Sequence, residues 1–158
     1  HYEGSLDWNM LENPYHSKLQ KMLSDLNLIY KNQKALHQYD EKQIGFEWID
    51  NGDYQHNCIS YIRKSDNEED NIYVLCNFSD AQRSQYKLGV PYDGEYEEIF
   101  NSQSSYYAGS NDGNYGKLTA KKEQMHNKEY SLELTLPALG VIYLKRVAEA
   151  KTQKASKK

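Results

Sequence analysis

The sequence predicts a mainly β protein, an antiparallel β-sandwich with one amphipathic helix in front of it. Two observations carry this. Tyr130, Leu132, Leu134 and Leu136 alternate with Ser131, Glu133 and Thr135, the period of a strand with one buried face. Upstream, from Ile44 onward, short apolar runs recur between turn signals, with no helical spacing left.

The helix comes first in the chain. Gly4 to Trp8 reads as loop. Asn13-Pro14 then supplies an N-cap and a proline at the first helical position. Leu19, Met22, Leu23, Leu26, Ile29 and Tyr30 follow at helical spacing, with Lys18, Lys21, Ser24, Asp25 and Lys31 largely on the other face. The spacing predicts a helix from Pro14 to about Tyr30 and a second short helical piece near Gln33–Gln38. A helical segment this short has no core of its own, so its apolar stripe is expected to pack on the β domain, another copy or a larger domain.

Strands are expected at 46–49, 57–63, 72–78, 86–88, 96–101, 118–121, 130–136 and 141–145. Asn51-Gly52, the acidic run Ser65 to Asp70, Pro91 to Gly94 and Gly109 to Gly116 separate them. The acidic run is expected to be a solvated hairpin tip, and Gly109–Gly116 a long hairpin loop rather than a phosphate cradle, because no strand-then-helix context surrounds it. Pro137 has no N–H for a ladder, so a strand ends or jogs there. Three stretches result: a helical part over 1–39, an all-β domain over 40–148, and a flexible lysine-rich tail over 149–158.

Composition narrows the function classes. Aromatics make up 13% of the residues, mostly tyrosine, unlike a disordered chain. The net charge is −4, and residues 151–158 hold four lysines and no acid, leaving −8 over the rest. An acidic body argues against nucleic acid as partner. No apolar run approaches the ~20 residues of a membrane span, so no membrane partner is expected. Cys58 and Cys76 lie in strand-like runs without a C-x-x-C, which points to buried, reduced thiols and a cytoplasmic location.

Catalytic constellations are thin. The histidines have no metal-ligand spacing, and no nucleophile elbow, phosphate loop or dinucleotide fingerprint is present. No catalytic residue, metal or cofactor is assigned. The aromatics offer more. Phe46 and Trp48 sit two residues apart and share one face of their strand. Pointing inward they are core. On an open edge, the Trp48 indole is a flat apolar surface that suits the apolar face of a sugar ring. Tyr106-Tyr107, beside the glycine-rich loop, is a second candidate sugar surface; its alternative is packing under that loop.

Six pieces occur in a telling order: Gly4-Ser-Leu-Asp-Trp8, Leu23-Ser-Asp-Leu-Asn-Leu-Ile-Tyr30, Gly45-Phe-Glu-Trp-Ile49, Cys76-Asn-Phe78, Glu97-Glu-Ile-Phe-Asn-Ser102 and Ser131-Leu-Glu-Leu-Thr-Leu-Pro137. Up to about Arg146 the chain resembles the C-terminal end of 1,4-α-glucan (glycogen) branching enzymes of the α-amylase family. The resemblance implies that Pro14–Tyr30 is a closing helix of a (β/α)₈ barrel and that the rest is the C-terminal β-sandwich of such an enzyme. It implies a fragment of a longer protein whose parent cuts an α-1,4 chain and rejoins it through an α-1,6 bond. The carboxylates for that reaction lie on barrel strands outside this sequence, so the fragment alone is expected to be inactive. The implied partners are the missing catalytic barrel and α-glucan, glycogen or maltooligosaccharides. A stand-alone carbohydrate-binding module and a purely structural domain are the alternatives. The departures are Ser79–Arg83 and Pro137-Ala-Leu-Gly140, where the family often carries other proline-containing stretches.

Overall fold

The computed structural model describes residues 2–147. The expected tail over 149–158 lies outside them. After a 3₁₀ turn at Trp8–Glu12, where the sequence reads only as loop up to Trp8, helix α1 spans Pro14–Asn32. The Asn13 side chain accepts from the Tyr15 N–H at 2.9 Å, Pro14 opens the first turn, and Lys31 sits in the last. These are the cap, the preset φ and the charge that suit the two helix ends. The second helical piece is a single 3₁₀ turn, Lys34–Leu36, that buries Ala35 and Leu36.

Among the described residues eight strands follow: β1 Phe46–Asp50, β2 Cys58–Arg63, β3 Ile72–Asn77, β4 Arg83–Val90, β5 Glu95–Asn101, β6 Lys117–Thr119, β7 Tyr130–Leu136 and β8 Gly140–Arg146. They form two antiparallel sheets of unequal size. One has six strands in the order β1-β2-β3-β8-β5-β6; the other pairs β4 with β7. A bridge between Lys121 and Ser131 ties the two along one edge.

The core between the sheets holds Cys58, Ile62, Tyr73, Leu75, Leu88, Val90, Tyr96, Leu132, Leu134, Leu136, Ile142 and Leu144, nearly all fully buried. Tyr130 to Leu136 supplies one wall of it through the alternation seen in the sequence. Strand β3 is buried on both faces: Tyr73 and Leu75 face this core, while Ile72, Val74 and Cys76 pack under Ala35, Leu36 and Ile29 of the helical segment. The two cysteines are free and buried, in separate clusters.

Some expectations are refined. Strand β4 starts three residues before the expected Tyr86, because a bulge lets the polar run Arg83–Gln85 join the ladder with Gln85 at φ 58°. The acidic run is not simply solvated: it forms a 3₁₀ turn at Glu68–Asp70, and Asp70 accepts from Lys145 Nζ of β8 at 2.9 Å. Gly109 to Gly116 is a loop, held by Asn101 Nδ2 on the Asp112 carbonyl at 2.8 Å and by the Asn114 N–H on Glu98 at 3.0 Å. Pro137 does end β7.

The helix stripe is only partly covered. Met22, Leu26 and Ile29 are half-buried, Leu19 and Leu23 remain 51% and 53% exposed, and no residue of α1 is buried.

Candidate functional site

The outer face of the six-stranded sheet carries the sequence's leading candidate. Strand register places Trp48 opposite Tyr61, Tyr61 opposite Val74, Val74 opposite Tyr143, and Tyr143 opposite Phe100. One row of side chains therefore crosses five strands. Trp48 is its edge member and stays 48% exposed; Phe46 beside it is 38% exposed. Their ring centroids are 4.8 Å apart at 87°, and Trp48 meets Tyr61 at 5.9 Å and 83°. These edge-to-face contacts hold the indole from two sides. Trp48 is thus neither a core residue nor a free one. It is a braced aromatic with an open portion.

Behind it, Glu47 reaches Lys64 at 2.9 Å and also pairs with Lys128. Burial pushes the Glu47 carboxyl up, but the two lysines outweigh it and leave it below the usual carboxylate range. A groove of about 410 Å³ continues the Trp48 face toward the helix, between Leu26, Tyr30, Asp40, Tyr61, Arg63 and Tyr143. Arg63 donates to the Leu36 carbonyl at 3.1 Å and to Asp40, which also accepts from the Tyr30 hydroxyl at 3.0 Å. Burial pushes the Tyr61 phenol up to about 12, so its ring stays neutral.

At the other end of the row, Ser105–Tyr107 forms a 3₁₀ turn capped by Ser104. Its two tyrosines diverge. Tyr107 packs on Phe100 at 5.8 Å and donates its hydroxyl to Asp25 of helix α1 at 2.9 Å. Lys18 of the helix reaches the Ser105 carbonyl at 3.2 Å. Tyr107 therefore braces the helix against the end of β5. Tyr106 points out, 72% exposed, beside a shallow cleft that Asn111 and Tyr115 share. Four strand steps separate β1 from β5, roughly 19 Å at the usual strand spacing. Trp48 and the tyrosine pair are two places, not one site.

The model of the alpha amylase C-terminal all-beta domain matches residues 48–147. The chain belongs to this family. Among curated proteins it is 44% identical over 144 residues to the 1,4-alpha-glucan branching enzyme GlgB of Aquifex aeolicus, covering 91% of this chain and 23% of that protein. It is 43% identical over 152 residues to the enzyme of that name from Nostoc sp., covering 96% of this chain and 20% of that protein. The chain thus spans about a fifth of the length of these relatives. Among solved structures, an alpha-amylase from H. orenii aligns with TM-score 0.44 and 19% identity, covering 77% of this chain and 19% of that one.

Among the described residues no group of three His, Cys, Asp or Glu side chains could hold a metal ion, and no helix is long and apolar enough to cross a membrane. The Trp48 row joins an apolar ring to nearby hydrogen-bonding groups, Asp40, Arg63 and Tyr30, which is the mixture a sugar ring needs. Tyr61 and Arg63 escaped the reading of the sequence. The alternation in Cys58–Arg63 does place both on the Ile59 face, but which strand lies beside β1, and in what register, depends on pairing.

Proposed function

We propose that this chain is the C-terminal part of a 1,4-α-glucan branching enzyme, a cytoplasmic protein whose catalytic barrel supplies the carboxylates that cut an α-1,4 chain and rejoin it through an α-1,6 bond. The reading rests on one observation: the match to branching enzymes covers up to 97% of the chain, and so takes in helix α1 as well as the β domain. A β-sandwich module of independent use has no need of that helix.

On this reading, residues 1–39 close the barrel, residues 40–148 are the C-terminal sandwich, and the barrel covers the open stripe of Leu19 and Leu23. Trp48 is a glucan contact: its indole stacks on a glucosyl ring and holds a polymer chain near the enzyme, raising the local concentration of donor and acceptor ends. Tyr106 is a second contact of the same kind. Tyr107 serves through its bond to the helix.

The purified 158-residue chain is expected to make no α-1,6 linkages from amylose, read by debranching and chain analysis, because a retaining transfer needs two closely spaced carboxylates and the barrel holds them. New branches from this chain alone would sink the reading. Joined to its barrel, the chain restores branching on the same substrate.

A further inference from the structure

A cleft of about 600 Å³ opens at the end of β1, where its lining begins at Asp50, two residues past Trp48. The 51–57 loop, strand β4 and the 122–127 loop form its walls. Its volume falls within the roughly 300–1,000 Å³ typical of ligand clefts. Asp50, Asp53, His56, Arg83, Tyr86 and His126 supply its polar lining.

These groups hold one another in place. Asp53 Oδ1 lies 2.6 Å from His56 Nδ1, and Asp53 Oδ2 accepts from the Tyr86 hydroxyl at 3.3 Å. Asp50 Oδ1 accepts from the Gly52 N–H at 2.9 Å. The Gly89 N–H donates to His126 Nδ1 at 3.1 Å, so that nitrogen is an acceptor and the ring proton sits on Nε2, 3.4 Å from Asp50 Oδ2. Gly89 has to be glycine: a Cβ there would run into the Met125 carbonyl of the 122–127 loop. Gln85 and His126, both lining the cleft, hold φ of 58° and 49°, a backbone region that L residues avoid and that clusters at ligand sites.

The lining favours a neutral ligand rich in hydroxyls. Two carboxylates stand against Arg83 and Lys87, and Lys87 is itself paired with Glu123 at 2.5 Å. With Lys87 taken by Glu123, the two carboxylates exceed Arg83 by one charge, so the lining repels an anion. What remains is a set of fixed acceptors and donors around a phenol ring, which complements vicinal hydroxyls on an apolar sugar face. The cleft opens to solvent.

We propose that this cleft is a second α-glucan-binding site, independent of Trp48, in which Asp50, Asp53, His56 and His126 bind glucosyl hydroxyls. The choice of α-glucan rests on the branching-enzyme reading above; the preference for a neutral polyol rests on the cleft alone.

The test is a nuclear magnetic resonance titration of the isotope-labelled chain with maltoheptaose, following the His56 and His126 rings and the Trp48 indole. Both regions are expected to shift. In Trp48→Ala the cleft signals still shift, with unchanged midpoint. In His56→Ala, an exposed position, the Trp48 response persists while the cleft midpoint, read at His126, weakens about fivefold, the worth of one hydrogen bond. Shifts at Trp48 alone overturn the cleft site and leave the branching-enzyme reading standing. Shifts at neither overturn both glucan sites and leave the branching-enzyme reading standing. Equal cleft shifts with cellohexaose or inorganic phosphate overturn its assignment to α-glucan.

Discussion

On its inner face the six-stranded sheet buries Tyr73, Leu75, Ile142 and Leu144 completely, while on its outer face Phe46 and Trp48 stay open and helix α1 buries none of its residues. The strands are the same; what covers them differs. A second sheet, β4 with β7, closes the inner face with Leu88, Val90, Leu132 and Leu136. Among the described residues helix α1 and the Lys34–Leu36 turn cover β3 and β8 on the outer face and Tyr107 covers Phe100 of β5, while the β1 edge stays open. The difference separates two tasks. The inner interface is complete within this chain and makes the fold. The outer face is finished at its centre, and its margins, Trp48 on one side and Leu19 and Leu23 on the helix, stay exposed.

The largest expected effect tests that division directly. Leu75→Ala and Leu132→Ala should each cost about 2–5 kcal/mol, through lost burial and the cavity left behind. Leu23→Ala on the helix should change stability by no more than about 0.5 kcal/mol. Urea unfolding of the three variants decides it. A Leu23 variant as damaged as a Leu75 variant would mean that the helix belongs to the core after all.

Alkaline pH probes both faces, because burial shifts phenols upward inside, at Tyr73 and Tyr96, as well as outside, at Tyr61 and Tyr107. Burial pushes Tyr61 to about 12, and burial followed by the Asp25 bond does the same for Tyr107. A phenol whose folded pKa lies above its unfolded value of 10.0 stabilises the fold below pH 10, and that contribution disappears as the pH rises through 12. The urea midpoint should fall between those limits, and Tyr61→Phe should flatten part of the fall. A midpoint independent of pH in this range would contradict the burial of these rings.

Trp48→Ala should cost about 1 kcal/mol, the value of its edge-to-face contacts, rather than the ~3–5 kcal/mol of a core aromatic. Its maltoheptaose affinity should drop roughly tenfold, one stacking contact's worth. Calorimetry gives both numbers. A large stability loss with unchanged affinity would return Trp48 to the core.

Tyr107→Phe should have the smallest effect. It removes the hydroxyl that joins helix α1 to the 105–107 turn, so amide exchange in the helix quickens while that of β3 stays the same. Acid tests the same bond from the other side. Lys21 first, and Tyr107 second, hold the Asp25 carboxyl below its ordinary 3.8. Its contribution is present above that value and is lost as the pH falls through the folded pKa, so helix protection should decline there. An unchanged exchange pattern in both experiments would show that the helix is held by its apolar contacts alone.

Much of this arrangement is legible in the linear pattern. The alternation of Tyr130 to Leu136 set the wall of the inner core, because a strand with one buried face needs period two. Asn13-Pro14 marked the helix start through local backbone chemistry. Phe46 and Trp48 had to share a face, since successive strand side chains point to opposite sides. The start of β4 was not legible: Arg83-Ser-Gln85 is polar and joins the ladder through a left-handed bulge that leaves no period in the sequence. Nor did the adjacency of Tyr106 and Tyr107 reveal that one braces the helix while the other faces out.

The sequence by itself determined the local quantities, namely where strands and helix run, which residues share a face, and the order of motifs that marks an amylase-type C-terminal domain. These follow from backbone geometry and side-chain period within a few residues. Tertiary structure alone decided that β1 is an edge, that Trp48 lies beside Tyr61, and that Asp50, Asp53, His56, Arg83, Tyr86 and His126 line one cleft. Those residues are up to 76 positions apart, and strand pairing between distant segments brings them together. Pairing is set by how all the faces pack at once, so no local stretch of sequence encodes it.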